Sequence, residues 1–240
     1  MYRYETHLHT APVSKCAVMS VRKMMEFYKM MEYDGIFITN HFIDGNIRID
    51  ESLPYEERIN FYFSDYEEGK KLSKEIGIKV FFGIESSLGG TDFLVYGLDK
   101  EWYLSHPEIE AMPKSKVLPY YMEHGALVIQ AHPFREAGFI DHIRLFPRCV
   151  HGVETINASR TDFENETAIL YAKHYQLREF AGTDNHGFTS DYLAGVACDT
   201  PVTDEKDFVK KVLDGKIRVF TETLEERFAN KNLTTLDSFK

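Results

Sequence analysis

Short apolar runs alternate along the chain with longer segments in which apolar side chains recur every three or four residues. A short apolar run predicts a buried β-strand, whereas the helical spacing predicts an amphipathic α-helix. Strands are predicted over 2–7, 35–39, 79–84, 93–96, 126–130, 152–156, 179–182 and 217–220. Helices are predicted over 20–31, 54–76, 115–124, 163–174 and 204–214. The order of these elements predicts an α/β protein.

The alternation of strands with helices predicts a parallel sheet. With about seven strands and no glycine-rich phosphate-binding fingerprint, the pattern favours a barrel over an open, doubly wound sheet. A chain of 240 residues can form one large α/β domain or two small ones. We expect a single domain over 1–240, with its core over about 1–199 and a C-terminal extension over 200–240. The last twenty residues are polar and are expected to be loosely held.

Two histidines one residue apart, His7 and His9, lie at the end of the first predicted strand. Side chains at positions i and i+2 of an extended segment point to the same side, so both imidazoles face the same space. Neutral imidazoles in this arrangement can share a metal ion. The pair therefore raises the question of whether the rest of the chain supplies further ligands.

Further metal-binding side chains occur where five more of the predicted strands end. They are His41, Glu85, His132, Glu154, and the pair Asp184 and His186. Because the active sites of barrels lie where strands end and loops begin, we expect these side chains to converge. Mixed imidazole and carboxylate donors favour Zn, Mn or Fe, and more than four donors indicate more than one ion. Glu85 is the natural carboxylate to bridge two ions, and Glu154 is either an acid at the core rim or a partner that orients a histidine.

The segments HLHT, TNH, GIE, AHP and GTDNH occur in this order within 1–199 and resemble the motifs of the PHP superfamily, named for polymerase and histidinol phosphatase. The resemblance implies a distorted (β/α)7 barrel with two or three divalent metal ions, Mn, Zn or Fe, at its C-terminal face. Carried over by position, it implies that His7, His9, Glu85 and Asp184 bind one ion, Glu85 and His132 a second, and His41 and His186 a third.

The chain departs from the PHP pattern at two positions. The family usually has an acid or a histidine shortly after the first motif, where this chain has Ser14 and Lys15. A protonated lysine cannot bind a metal, so Lys15 is expected to contact a phosphate, and the third metal site is expected to be weak or empty. The family often has a histidine in the strand after Glu85, where Asp92 is the best match. A carboxylate ligand at Asp92 favours Mn or Fe.

The leading hypothesis is hydrolysis of a small phosphomonoester by a metal-activated water. A cluster of divalent ions clamps a phosphoryl group and lowers the pKa of a bound water. Glu85 and Asp184 are expected to hold the ions, and His186 or His41 is expected to protonate the leaving oxygen if it is not a ligand.

Two arginines near the expected ligands are candidates for binding the substrate phosphate. Arg135 lies just beyond His132 in the segment AHPFRE, and Arg160 follows the strand that carries Glu154. Guanidinium groups bind phosphate oxygens through paired N–H donors. Arg135 is therefore expected to stabilise the charge that develops in the reaction, with Lys15 and Arg160 as further phosphate contacts.

Two other functions fit the same residues. The amidohydrolase barrel also begins with a His-x-His strand, but it is usually longer and has a lone aspartate on its last strand, whereas Asp184 is followed by His186 here. A barrel that keeps its metals can also serve as a regulatory or binding module. An intact ligand set favours turnover over this second alternative.

Charge and cysteine content narrow the partners and the compartment. A formal net charge of −10 disfavours long nucleic acid, so a nuclease or phosphodiesterase is less favoured than a phosphatase. Cys16, Cys149 and Cys198 are scattered, which is typical of a reducing, cytoplasmic compartment. Cys16 has no evident paired base and is not expected to be a nucleophile. No segment has the apolar length of a membrane span or the pattern of a signal peptide, so no membrane partner is expected.

Overall fold

The structure is a computed structural model that describes residues 1–187 and 191–231. The strands are β1 Tyr2–Glu5, β2 Gly35–Ile38, β3 Lys79–Ser87, β4 Asp92–Tyr96, β5 Leu127–Gln130, β6 Gly152–Asn157, β7 Arg178–Gly182, β8 Tyr192–Cys198 and β9 Arg218–Thr223. The helices are α1 Val21–Met30, α2 Tyr55–Tyr62, α3 Ser64–Ile76, α4 Lys100–Ser105, α5 Lys114–Glu123, α6 Asp162–Tyr175, α7 Glu205–Leu213 and α8 Leu224–Lys231. A short 3₁₀ helix spans Pro107–Ile109.

The strands form one sheet in the order β7-β6-β5-β4-β3-β2-β1-β8-β9. Pairing is parallel for β1 with β2, β2 with β3, β5 with β6, and β6 with β7. β4 is antiparallel to both of its neighbours, and β8 is antiparallel to β1 and β9. The expectation of a parallel sheet is therefore wrong for β4, β8 and β9. For β4 the reason is its short connection from β3, which turns through Gly89 and Gly90 at positive φ and leaves no room for a crossover helix.

The sheet nearly closes into a distorted barrel, because the end of β7 meets the end of β1. The hydroxyl of Thr6 donates to the carbonyl of Ala181 at 2.5 Å, and the N–H of Asp184 donates to the carbonyl of His7 at 2.8 Å. The predicted barrel class is confirmed, but the described residues supply nine strands, two more than a (β/α)7 barrel has.

Buried apolar side chains, many of them aromatic, fill the space that the strands enclose. This core cluster includes Tyr4, Phe37, Phe81, Tyr96, Phe180 and Phe208. The hydroxyl of Tyr96 donates to the carbonyl of Thr6 at 2.6 Å, which ties the cluster to the end of β1. A close-packed interior of this kind holds the strand ends in fixed positions.

The sequence does not predict β8, because its segment YLAGVAC has small residues where strands usually have large apolar ones. The small size is needed where β8 meets β1. A Cβ added to Gly195 would collide with the carbonyl of Tyr4 on β1. Pairing with a distant strand, and not local hydrophobicity, therefore makes this segment a strand.

The helix predicted over 54–76 is two helices, α2 and α3, that meet at Phe63. Phe63 is buried and stacks on Phe82, with 4.1 Å between the ring centroids. The helix is broken at Phe63, whose side chain packs in the core. The helical spacing of apolar residues in the sequence does not reveal this break. The sequence also misses α4, which begins where the carboxylate of Asp99 accepts the N–H of Trp102 at 2.9 Å.

Ion pairs attach α8 to the rest of the fold. Arg227 on α8, within the segment expected to be loosely held, contacts Glu32 at 2.7 Å and Glu222 at 2.6 Å. Residues 232–240 of that segment lie outside the described part of the chain. None of the helices among residues 1–187 and 191–231 has the length and apolar character that crossing a bilayer requires.

Candidate metal centre

The predicted metal ligands lie together at one end of the barrel. His7 and His9 follow β1, His41 follows β2, Glu85 is in β3, Asp92 begins β4, His132 follows β5, and Asp184 and His186 follow β7. Asp92 reaches this end because β4 runs antiparallel to β3. All of these side chains are buried except that of His186, which is partly exposed. The structure thus brings together every residue that the sequence proposed as a ligand.

The first ligand group consists of His7, His9 and Asp184. The Nε2 atoms of His7 and His9 are 3.3 Å apart, and they lie 3.4 and 3.3 Å from Oδ1 of Asp184. Oε1 of Glu85 lies 3.2 Å from Nε2 of His7, and Oε2 lies 3.3 Å from Nε2 of His9. A tetrahedral ion with bonds of about 2.1 Å separates its ligands by about 3.4 Å, so His7, His9 and Asp184 have the spacing of ligands to one divalent ion. Each oxygen of Glu85 lies beside one of the two imidazoles.

Hydrogen bonds of Ser14 determine which nitrogen of His9 carries a proton. Oδ1 of Asn40 accepts the backbone N–H of Thr10 at 2.7 Å and the hydroxyl of Ser14 at 2.9 Å. Since Ser14 has donated its only hydrogen, its Oγ accepts from Nδ1–H of His9 at 3.1 Å. Burial, together with two neighbouring imidazoles, lowers the pKa of His9 to about 3. His9 is therefore neutral, with the lone pair of Nε2 available to a metal.

Glu154 holds His7 in a matching way. Its Oε1 accepts from Nδ1 of His7 at 3.0 Å, and its Oε2 accepts the N–H of His132 at 3.0 Å and the amide of Asn157 at 2.8 Å. Burial alone would lower the pKa of His7, but the charges of Glu154, Asp184 and Glu85 outweigh it and hold the pKa well above its usual value. The sequence left two roles open for Glu154, an acid at the core rim or a partner that orients a histidine. Its contacts with His7 and His132 support the orienting role.

The second ligand group has His7 in common with the first and adds Glu85 and His132. The ligand atoms of His7, Glu85 and His132 lie within 4.8 Å of one another. Nε2 of His132 is 3.3 Å from Oε1 of Glu85 and 3.8 Å from Oδ2 of Asp92. The other oxygen of Asp92 accepts the hydroxyl of Ser87 at 2.5 Å, which directs Oδ2 toward His132. Glu85 thus has the position of a carboxylate that bridges two ions.

Two of the ligands have left-handed backbone conformations, with φ of 22° at His132 and 52° at Asp184. Such conformations cost about 1–3 kcal/mol for residues other than glycine and cluster at functional sites. Hydrogen bonds within the centre hold both, since the N–H of His132 binds Glu154 and the N–H of Asp184 binds the carbonyl of His7.

A third ligand group consists of His9, Cys16, His41 and His186, whose ligand atoms lie within 4.8 Å of one another. The resemblance to the PHP motifs implies Ser14 or Lys15 at this position, whereas the structure has Cys16 there. Ser14 is turned inward to His9, and Lys15 is exposed. Burial raises the pKa of the Cys16 thiol, but hydrogen bonds with two imidazoles outweigh it and lower the pKa to about 6. Cys16 therefore has basic partners that the sequence did not indicate, and the third site has a donor set.

Three further imidazoles of the centre have raised pKa values. Burial alone would lower the pKa of His41, but Glu85, 2.7 Å from its Nδ1, raises the pKa to about 11. A hydrogen bond with Glu85 likewise outweighs burial at His132, and a hydrogen bond with Cys16 does so at His186, so both pKa values are raised. A protonated imidazole nitrogen cannot bind a metal, so these protons would have to leave before divalent ions occupied the centre.

Two arginines border the ligand groups. Nη1 of Arg135 is 3.7 Å from Oδ2 of Asp92, and Nη2 of Arg160 is 4.0 Å from Oδ2 of Asp184. The Nε atom of each arginine is buried and has no hydrogen-bond partner among the described residues. Each guanidinium therefore has one donor without a partner, and one of its Nη atoms lies near a carboxylate of the candidate centre. Lys15 is exposed at the surface of the neighbouring loop.

Sequence reasoning missed Cys16 and the role of Ser14. Both lie in the loop after β1, where no strand or helix periodicity shows which side chains turn inward. The one available signal was that Cys16 is a potential ligand close in sequence to His9. The remaining histidines, His106, His124, His142, His151 and His174, belong to none of the ligand groups found in the described part of the chain.

Neither a protein-family profile nor a curated protein sequence matches the chain. Its fold is similar to a two-domain protein from Bacteroides vulgatus ATCC 8482 that contains a candidate PHP-like metal-dependent phosphoesterase. The TM-score is 0.65 and the identity 13%, over 91% of this chain and 64% of the other. The chain thus spans slightly less than two thirds of the length of that protein.

Two more solved structures have a similar fold. A candidate metal-dependent phosphoesterase from Bifidobacterium adolescentis ATCC 15703 matches with a TM-score of 0.54 and 13% identity, over 89% of this chain and 96% of the other. An amidohydrolase from Chromobacterium violaceum matches with a TM-score of 0.50 and 13% identity, over 90% of this chain and 97% of the other. The chain therefore has the fold of the PHP-like phosphoesterases, as the order of its five motifs predicted.

Proposed function

We propose that the chain is a metal-dependent phosphoesterase that hydrolyses small phosphomonoesters. The observation that carries the proposal is the position of Arg135 and Arg160 beside carboxylates of the metal-ligand groups, with buried Nε–H donors unused. A phosphoryl group at the centre would meet guanidinium donors that match its oxygens in charge and geometry.

The ligand groups fit a multinuclear centre. Glu85 lies between the first and second groups, which would hold one ion each, and the third group would hold another. Divalent ions of Mn, Zn or Fe supply a bound water of lowered pKa and positive charge for the phosphoryl oxygens. Ser14 and Glu154 keep His9 and His7 in the tautomer that ligation requires, and the two arginines bind and orient the phosphate.

The space beside the centre suits a small substrate. A cleft of about 410 Å³ is lined by residues that include Arg160, His186 and Tyr192. Its volume is in the usual range for small-molecule sites. The net charge of −10 disfavours a long nucleic acid in the same place.

Hydrolysis of a non-phosphate substrate is the second candidate, because one protein of similar fold is an amidohydrolase. That structure holds sulfate and no metal. A regulatory metal-binding module is the remaining alternative.

Phosphate release from a panel of phosphomonoesters tests the proposal, with Mn²⁺ added to one sample and a chelator to the other. We expect metal-dependent release that is lost in His7→Ala and Asp184→Ala. The variant His174→Ala, altered at an exposed histidine on α6, should keep the activity. Undiminished hydrolysis in both ligand variants would refute the proposal. Turnover of amides alone would favour an amidohydrolase, and no turnover with metal bound would favour a regulatory module.

A further inference from the structure

Among the described residues, Cys16 is the one free thiol that belongs to a metal-ligand group. Cys149 packs against the hydrophobic core. Sγ of Cys198 donates to the carbonyl of Thr200 at 3.0 Å. The other two thiols therefore provide matched controls for any property assigned to Cys16.

The loop that carries Cys16 is held on both sides of this residue by main-chain hydrogen bonds. The N–H of Lys15 donates to the carbonyl of Asn46 at 2.9 Å, and the N–H of Val18 donates to the carbonyl of His186 at 2.9 Å. These bonds join the loop after β1 to the loops after β2 and β7. The thiol is therefore positioned by rigid backbone, as a preorganised ligand requires.

The imidazoles of the third group have nitrogens available to a metal. Nδ1 of His186 donates to the carbonyl of Asp184 at 2.7 Å, and since a carbonyl can only accept, Nδ1 carries the proton. The neutral imidazole then has its lone pair on Nε2. Nδ1 of His41 faces Glu85, which leaves Nε2 of His41 for the third group.

We infer that Cys16 binds the third metal ion as a thiolate, together with His41 and His186, and that this site selects zinc over manganese. A thiolate is a soft ligand that favours zinc, whereas the carboxylates of the first and second groups also suit manganese. As the sulfur–metal and nitrogen–metal bonds form, any proton on the sulfur of Cys16 and the protons on Nε2 of His41 and His186 go to solvent. The structure thus supports a mixed centre, with one zinc-selective site beside two carboxylate-rich sites.

This inference rests on the metal centre of the proposed function and changes one expectation from the sequence. With His41 and His186 as ligands, neither imidazole is free to protonate the leaving oxygen. The sequence led us to expect a weak or empty third site, because Lys15 lies close to where the family has an acid or a histidine. Cys16 has that position instead, so the third site has a ligand there.

Titration of the metal-free protein with Co²⁺ tests the thiolate directly. Cobalt bound to a thiolate has a strong charge-transfer absorption in the near ultraviolet, whereas cobalt bound to nitrogen and oxygen alone has only weak visible bands. We expect the charge-transfer absorption in the wild type and in Cys149→Ser. Cys16→Ser should lose it together with one equivalent of bound cobalt, and should keep the visible bands of the other sites, which shows that the variant is folded.

Dialysis against a fixed concentration of Zn²⁺ and increasing concentrations of Mn²⁺, followed by metal analysis, tests the selectivity. Zinc binds nitrogen and oxygen sites more tightly than manganese, so the measured quantity is the excess of Mn²⁺ that displaces the zinc of the third site. That excess should be larger in the wild type than in Cys16→Asp, whose carboxylate restores a hard ligand. Equal excesses would overturn the selectivity. Cobalt binding without the charge-transfer absorption, or an absorption that persists in Cys16→Ser, would overturn the thiolate and leave the metal centre intact. A protein that binds no cobalt would overturn the metal centre, and the proposed function with it.

Discussion

Oε1 of Glu154 accepts a hydrogen bond from Nδ1 of His7 at 3.0 Å, and both side chains have 0% exposure. The same carboxylate accepts the backbone N–H of His132. One buried acid therefore orients a ligand of the first group and positions a ligand of the second.

Replacing this acid with an amide should weaken metal binding. In Glu154→Gln, the amide nitrogen would face either Nδ1–H of His7 or the N–H of His132, so one donor meets another donor. We expect about 10–100-fold weaker binding of the first ion, measured by competition with a chelator. Glu166→Gln, at an exposed position on α6, should bind normally. Equal affinities in the two variants would contradict the orienting role.

A methyl group at Gly182 should damage the same contact. A Cβ built there lies 2.5 Å from Cβ of His7 and 3.0 Å from Oε1 of Glu154. We expect Gly182→Ala to lower the free energy of unfolding by about 1–3 kcal/mol and to impair metal binding. Denaturant unfolding measures the first effect. Gly138→Ala, where a Cβ meets nothing within 4 Å, should be much closer to the wild type.

Metal affinity should rise with pH. The pKa of His41 is raised to about 11 and that of His7 is well above its usual value, so both are protonated in the metal-free protein at neutral pH. Each proton must leave before the nitrogen binds a metal, and this step becomes easier as the pH increases. We expect the apparent Kd to fall about tenfold per pH unit for each proton displaced. Calorimetric titrations in buffers of different ionisation enthalpy count these protons, and a pH-independent Kd would be inconsistent with the exchange.

Removal of either guanidinium should weaken phosphate binding. Charge-assisted hydrogen bonds contribute about 1.5–3 kcal/mol, so Arg135→Ala and Arg160→Ala should each bind inorganic phosphate about 10–100-fold more weakly. Phosphate binding to the metal-loaded protein measures this effect. Arg22→Ala provides the control, since Arg22 forms an exposed ion pair with Glu75 on the helical side of the barrel. Unchanged phosphate binding in both Arg135→Ala and Arg160→Ala would show that neither arginine binds the phosphate.

Local patterns predicted much of the fold and most of the ligands. Helix ends at Gly77 and Gly125 were predictable because both glycines have positive φ, at 78° and 83°, which side chains disfavour. His7 and His9 were predictable because alternate residues of a strand share a face. The order of ligands after successive strands indicated a barrel, because the ends of such strands meet in one place.

The sequence alone determined which donor types this chain has and that strand ends carry them. Only the tertiary structure decided that β4 turns back to bring in Asp92, that Cys16 turns inward, and that Glu154 orients His7. His7 and Glu154 are 147 residues apart, and their contact depends on how the whole sheet closes. Such contacts have no local signature, because hydrophobic periodicity reports which face of an element is buried and not which distant side chain it meets there.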